Sequence, residues 1–485
     1  MKRWMAAGVL AGVLASQGQV QAEENGLAWP QFRGPGGAGV ADSEKPPIEF
    51  GPDKNVRWKI TVPSGYSSPI LVGDLLVLTA FDEGKLWTIA YRKSDGGEAW
   101  RVEAPAKQIE PYHKTEGSPA ASTPATDGKR IVSYFGSCGL FCYDLAGKPL
   151  WNFPLPMATT PGDFGTGTSP IVADGAVILV RDEMKDSRIY AVSLETGKTL
   201  WEKPRQSPSA FTTPAIWETP QGKQVVAAGF GRMIGYDLKS GEEVWSVAGM
   251  PSASCTTPVV SEGNLLFAGW SPGDKEDKEF QMPTFDSFLK EGDADGNGEL
   301  SREESEKTSI KGFFDSNDTN KDKILTRDEW DGMIKFMSAS KNSAFALKPG
   351  GKGDVTESHV VWKATKGLPY VPSAIAYKNQ YILVKDGGLV TIYDTKDGKV
   401  LYQGRGVRAG RYYSSPVVAN GLLYVASLDD GGFTVLRPNG GKPAQVAENP
   451  PLGERVAATP VIADNTLYVR TDGHLYAFAE SATAK

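Results

Sequence analysis

The chain is poor in the residues from which most enzymes build their chemistry. Of 485 residues, three are histidine and three are cysteine. It has no Walker loop, no Gly-x-Ser-x-Gly elbow, no His-Glu-x-x-His helix and no Cys-x-x-Cys-His haem site. The usual signatures of P-loop NTPases, α/β-hydrolases, zinc proteases and c-type cytochromes are therefore missing. No segment reaches the roughly 18 apolar residues that a spanning helix needs. No basic stripe runs along the sequence either, which argues against nucleic acid or an anionic membrane surface as partner. His113 lies in a long connection and is the best acid–base candidate, whereas His359 precedes a strand and His474 sits in a turn. For each of the three a structural or surface role is the simpler reading.

What is present begins with an export signal. Lys2 and Arg3 precede an apolar stretch from Trp4 to Ala15, and Val20-Gln21-Ala22 offers a small-residue cleavage site. This pattern predicts a signal peptide over 1–22 and an exported chain, periplasmic or extracellular, with no cysteine at the cleavage point to carry a lipid. Charge then separates two parts. Residues 271–340 carry 18 acidic and 10 basic side chains, and the rest of the mature chain balances at 40 of each. The acidity is local.

The backbone of the sequence is a repeat. Ser68-Pro69, Thr123-Pro124, Ser169-Pro170, Thr213-Pro214, Thr257-Pro258, the degenerate Ser373-Ala374, Ser415-Pro416 and Thr459-Pro460 each open an apolar, β-branched run. Successive gaps are 55, 46, 44, 44, 116, 42 and 44 residues. A period of roughly 40 to 50 residues with four short strands per copy predicts an all-β, eight-bladed propeller. A second repeat agrees, a turn glycine followed four residues later by an aromatic: Gly96/Trp100, Gly147/Trp151, Gly197/Trp201, Gly241/Trp245 and Gly398/Tyr402. A seventh copy keeps Gly441 but has Gln445 in the aromatic position. The glycine supplies the positive φ of a hairpin, and the ring is expected to wedge against the adjacent blade. Trp58 belongs to an outer strand with no inner strands before it, and 459–478 supplies three strands with no outer one. Joining them closes the ring without an open edge. The expected organisation is an arm over 23–50, blades over 51–270 and 341–480, an insertion over 271–340 and a tail over 481–485.

The tryptophan-bearing repeats, such as Tyr236-Asp237-Leu238-Lys239-Ser240-Gly241-Glu242-Glu243-Val244-Trp245, resemble those of pyrroloquinoline-quinone-type, BamB-like propellers. The segment Trp29-Pro30-Gln31-Phe32-Arg33-Gly34-Pro35 is similar to exported propeller proteins of planctomycete-type bacteria. The resemblance implies the fold and leaves two functions open, because one ring serves both quinone dehydrogenases and cofactor-free outer-membrane assembly scaffolds. Many quinone-dependent alcohol dehydrogenases of this fold carry a pair of adjacent cysteines, which this chain lacks. Cys138 and Cys142 flank a hairpin and form either a small-loop disulfide or two buried thiols, and Cys255 reads as a small apolar residue.

The insertion holds the sharpest motif. Asp293, Asp295 and Asn297 stand at positions 1, 3 and 5 of a twelve-residue EF-hand loop, with Gly298 at position 6. Glu299 offers a backbone carbonyl at position 7, Ser301 acts through water, and Glu304 closes the shell with two oxygens. Seven hard oxygens in a flexible cage suit calcium. A second loop repeats the pattern with Asp318, Asn320, Asp322, Ile324, Thr326 and Glu329, but puts Lys323 where glycine is expected. A non-glycine residue at positive φ costs on the order of 1 kcal/mol, so the second site is expected to bind more weakly. Leu300 and Leu325 are expected to pair the loops. Phe285, Phe288, Phe313, Phe314, Trp330, Ile334 and Met337 should form a small core. Because blade strands alternate in direction, the insertion shares a face with the long connections 102–122 and 152–168. Tyr112, Arg408, Arg411, Tyr412 and Tyr413 lie in connections on that face. The expectation is a monomeric calcium-binding scaffold, with two ions, for a protein or small molecule at the channel mouth. The alternative is a periplasmic oxidoreductase using pyrroloquinoline quinone at the same mouth.

Overall fold

The computed structural model describes residues 28–278 and 280–480. The signal peptide expected over 1–22 and the tail expected over 481–485 lie outside the described residues. Eight sheets follow one another as blades, seven of them four-stranded and antiparallel, and the fourth extended to five strands by Gly353–Asp354, which pairs parallel to its outer strand. The first blade runs Ile70–Val72, Leu75–Asp82, Lys85–Arg92 and Glu98–Ala104. The eighth combines Val461–Ala463, Thr466–Arg470 and His474–Phe478 with the N-terminal strand Val56–Thr61, in register at Trp58↔Ala477. The first and last strands thus sit in one sheet, and the all-β, eight-bladed propeller is closed.

The Ser/Thr-Pro repeat has a direct physical use. Around the channel the backbone N–H of a repeat Ser or Thr donates to the hydroxyl of its counterpart in the following blade, with one gap between Thr213 and Thr257, whose Oγ1 is buried without a partner. Ser68 donates to Thr123 at 3.0 Å, Thr123 to Ser169 at 3.0 Å, and Ser169 to Thr213 at 3.1 Å. Thr257 donates to Ser373 at 2.9 Å, Ser373 to Ser415 and Ser415 to Thr459 at 3.0 Å each, and Thr459 returns to Ser68 at 2.9 Å. Buried N–H groups need partners, and here they find them around the channel rather than within a blade. The degenerate Ser373-Ala374 keeps the hydroxyl and loses only the proline, so the circle passes through it unbroken.

Tryptophans lock the blades from outside. The indoles of Trp58, Trp100, Trp151, Trp201 and Trp362 lie on the turn glycines of the next blade, Gly96, Gly147, Gly197, Gly241 and Gly398. Each ring N–H donates to a carbonyl of that blade, at Lys93, Leu145, Leu194, Leu238 and Thr395, over 2.9–3.0 Å. Two aromatic copies depart from this rule, Trp245 and Tyr402, the latter donating its hydroxyl to the Arg405 carbonyl of its own strand at 2.8 Å. Trp245 packs on Gly235 of its own blade and donates to Gln224 at 2.7 Å. The fifth blade has no glycine hairpin to receive it, because the longer connection through Gly353–Asp354 pairs alongside the Trp245 strand instead.

In the seventh blade the expected register is corrected. Val435 pairs with Ala447 and Leu436 with Gln445, so Ala447 holds the position that Trp245 holds opposite Gly235. The positive φ belongs to Gly440 rather than Gly441. The eighth blade is a composite and has no third-to-outer hairpin for an aromatic to rest on. The N-terminal arm fills that space: Phe50 packs 5.1 Å from Phe433 and 4.9 Å from Phe478, and Asn449 bonds both Phe50 N–H and Ile48 C=O.

Further upstream the arm crosses the end of the channel opposite the mouth. Trp29 bonds Leu71 in blade one, Pro30 bonds Thr126 in blade two, and Gly39 and Ala41 bond Val418 in blade seven. Among the described residues no helix is long and apolar enough to cross a membrane.

Candidate metal centre and channel mouth

Four short helices interrupt the fifth blade between its second strand Asn264–Gly269 and third strand Ser343–Leu347. They are α1 (Phe285–Gly292), α2 (Arg302–Ser305), α3 (Phe314–Asn317) and α4 (Arg327–Met337). The two loops, α1-to-α2 and α3-to-α4, are joined by antiparallel pairing of Leu300 with Leu325. Ser301 and Glu304, and Thr326 and Glu329, form complete capping boxes at the helices that leave the loops. Such boxes satisfy orphan N–H groups and anchor each terminal glutamate at the start of its helix.

The two loops fold alike. In the first, Asp293 accepts from the N–H groups of Gly296 and Gly298, Asp295 from Asn297, and Asn297 from Glu299. In the second, Asp318 accepts from Asp322 and Lys323, Asn320 from Asp322, and Asp322 from Ile324. Each set of side-chain oxygens is therefore held toward the inside of its turn. Oxygens of Asp293, Asp295 and Glu304 lie within 4.8 Å of one another. That donor set, three hard carboxylates beside the Asn297 amide oxygen, fits a divalent cation that prefers oxygen. Backbone N–H groups of Ser301 and Ala294 hold the Glu304 carboxyl down to about 2, so it is ionised at any physiological pH. Glu329 is partly buried, which opposes ionisation, but bonds from Thr326 and Thr319 outweigh this and lower its pKa. Gly298 sits at φ 81° and Lys323 at φ 68°, so the second loop makes the same turn with a side chain in the strained region.

The core of the insertion differs in part from expectation. Phe285, Phe288, Leu300, Ile310, Phe314, Leu325 and Trp330 are buried together, with Ile334 packed against them. Phe313 and Met337 instead face the propeller. Phe313 lies 5.8 Å from His113 and 6.5 Å from Phe164, while Met337 receives the Ser252 hydroxyl. Phe336 packs 4.9 Å from Phe230. The insertion thus touches the connections that follow blades one, two and four, and a hairpin of blade four.

His113 is part of this contact. Its ring stacks on Phe164 at 5.4 Å, and its Nε2 meets the Gly312 carbonyl at 3.1 Å, as an N–H donor. Nδ1 accepts from the Glu116 N–H at 3.2 Å. Both nitrogens are occupied in structure, which answers the acid–base reading. Three residues on, Glu116 reaches over the mouth to Arg411 at 3.2 Å and to the Tyr413 hydroxyl, and Arg455 donates to Thr115 C=O at 2.7 Å. Residues 113–116 therefore form a strap tied to the insertion at one end and to blades seven and eight at the other. Of the other residues anticipated there, Arg408 pairs with Asp430, Tyr412 is buried on the Arg408 carbonyl, and Tyr112 packs on Phe81. Glu116 and Arg455 were not anticipated. The only signal for them was the length of their connections.

The cysteines are free thiols. Cys138 lies in a turn and Cys142 four residues on, within the strand Gly139–Asp144. At about 3.3 Å per residue they stand about 13 Å apart, too far for a disulfide. Burial pushes all three thiols up to about 12, so none offers a reactive thiolate.

The ring, its tryptophan locks and its closing strand define an eight-bladed quinone-type propeller. The chain belongs to the family described as outer membrane protein assembly factor BamB, whose profile matches residues 88–273 and 353–482 and skips the insertion. A protein of that name from Burkholderia pseudomallei is 24% identical over 446 residues, covering 89% of this chain and 90% of its own. Among solved structures, BamB from Moraxella catarrhalis is similar with a TM-score of 0.53 at 13% identity, over 88% of this chain and 98% of that one. The quinohemoprotein alcohol dehydrogenase of Comamonas testosteroni is similar with a TM-score of 0.55 at 12% identity, over 94% of this chain and 81% of its own. At these identities the structural likenesses speak for the fold alone.

Proposed function

We propose that this chain is an exported scaffold that binds two calcium ions in its insertion and receives a protein partner on the channel-mouth face. The observation that carries the reading is the convergence of Asp293, Asp295 and Glu304 oxygens within 4.8 Å, in a loop paired to a second of the same build. Asp293, Asp295, Asn297, the Glu299 carbonyl, Ser301 through water and Glu304 hold the first ion. Asp318, Asn320, Asp322, the Ile324 carbonyl, Thr326 and Glu329 hold the second. Membership of an assembly-factor family supports a protein partner, and the predicted signal peptide supports export. The strap makes the mouth the face where the insertion acts, since Gly312 and Phe313 lie just before α3 and its loop and also touch His113. A planar quinone bearing three carboxylates needs cations. The mouth sets Glu116, Asp386, Asp429 and Asp472 against Arg411 and Arg455, and Arg411 is already paired with Asp429 and Glu116. That donor set does not fit the quinone.

Isothermal titration of the calcium-stripped full chain tests the metal assignment. Two sites are expected, with Glu304→Gln removing the tighter one and Glu329→Gln the weaker. Absence of calcium heat in the wild type, with the far-UV spectrum unchanged, would overturn it.

A further inference from the structure

A cavity of about 310 Å³ lies between blades three and four. One wall is the end of the outer strand Thr199–Pro204 and the connection after it. The other is formed by the strands Arg232–Asp237 and Glu243–Ala248 of blade four. No residue that lines it belongs to the insertion or the strap.

The buried part of the lining is a closed network. Arg205 donates to the two Asp182 oxygens at 2.7 and 3.1 Å and to the Tyr236 hydroxyl at 2.9 Å. Ser207 donates to Asp182 at 2.6 Å. Gly229 permits this packing, since a Cβ there would lie 2.6 Å from both Arg205 Nη2 and Ser207 Oγ. Nearer the solvent stand two ion pairs, Lys203 with Glu242 and Arg232 with Glu243 at 2.9 Å. Ile234 adds apolar surface. Gln206 is exposed on the same cavity, and among the described residues its side-chain amide makes no hydrogen bond.

The charge balance decides the class of ligand. Lys203, Arg205 and Arg232 are each matched by a carboxylate, Glu242, Asp182 and Glu243. A ligand of either net charge meets no excess of the opposite sign, and gains an ion pair only by breaking one. An uncharged polyol breaks none. Each of its hydroxyls both donates and accepts, so it can bridge an exposed ion pair and satisfy the Gln206 amide. Exposed pairs of this kind contribute little to stability and adjust readily to such contacts. The volume lies at the small end of the range for ligand pockets. We propose that this inter-blade cavity binds an uncharged sugar of one or two pyranose rings. Its hydroxyls bond Arg232, Glu243 and Gln206, and its apolar face rests against Ile234 and Tyr236. This site is independent of the calcium loops and of the partner reading.

Saturation-transfer NMR on the full chain tests it. The probes are maltose, cellobiose, lactose and chitobiose, with glucuronate and protonated glucosamine as charged controls. Weak, millimolar binding of at least one disaccharide is expected, and binding of neither control. Gln206→Ala, which removes no hydrogen bond within the protein, should weaken that binding by about tenfold, and Glu243→Ala by as much or more. No transfer to any of the four disaccharides would overturn the proposal. So would preference for a charged control, or affinity unchanged in both variants. Should Glu243→Ala fail to fold, Gln206→Ala decides.

Discussion

Trp151 shows how single residues carry this fold. Its indole lies on Gly197 of the next blade and bonds the Leu194 carbonyl at 2.9 Å, so removing it strips apolar contact and orphans an acceptor. Trp151→Ala should cost about 3–5 kcal/mol, read as a lower urea midpoint at unchanged slope. Gly197→Ala should also destabilise, since its Cβ would lie 2.7 Å from the indole at φ 68°. Glu110 makes a separate prediction. It is buried, one oxygen takes the Thr166 hydroxyl and the other has no partner, and burial raises its pKa from 4.5 to about 8. The native state therefore holds a proton that the unfolded chain releases near pH 4.5. This contribution to stability falls as pH rises from about 4.5 to about 8, then levels off. Glu110→Gln should flatten that slope, measured as Tm against pH over the same interval.

At the scale of elements, most of the arrangement was legible because it repeats. The Ser/Thr-Pro copies mark inner strands through an atom the circle requires, and so the degenerate copy could still be recognised. The glycine–aromatic copies mark outer strands. Where a neighbour is irregular the repeat misleads. The spacing puts Gln445 at the aromatic position, yet Ala447 occupies it, because a composite blade offers no hairpin to dock on and Phe50 fills the gap from far away in sequence. Phe313 likewise fits helical spacing for an internal core but faces His113, a contact that only the docking of the insertion creates. The second loop carries a prediction of its own. Lys323 is held at φ 68° where the first loop has glycine, so Lys323→Gly should tighten the weaker calcium site by roughly fivefold by relieving about 1 kcal/mol.

At the scale of the whole molecule, the insertion, the strap and blades seven and eight form one line across the mouth. The second loop begins at Asp318, directly after α3, and the turn before that helix supplies Gly312 and Phe313 to His113. Glu116 then carries the connection to Arg411 and Tyr413 on the far side. An ion that rigidifies the loop should steady this line, because binding that favours one conformation suppresses local opening. The family assignment names a class of assembly factor, and the insertion lies outside the part of the chain that the family profile matches. Calcium control of the mouth would thus be an addition made by this chain to a shared ring.

Amide hydrogen exchange of the full chain, with and without calcium, tests that claim most directly. Loading should slow exchange at residues 113–117 together with 311–325, and the Glu329→Gln variant should lose the effect at both segments. Protection confined to the insertion, with the strap unchanged, would contradict the account.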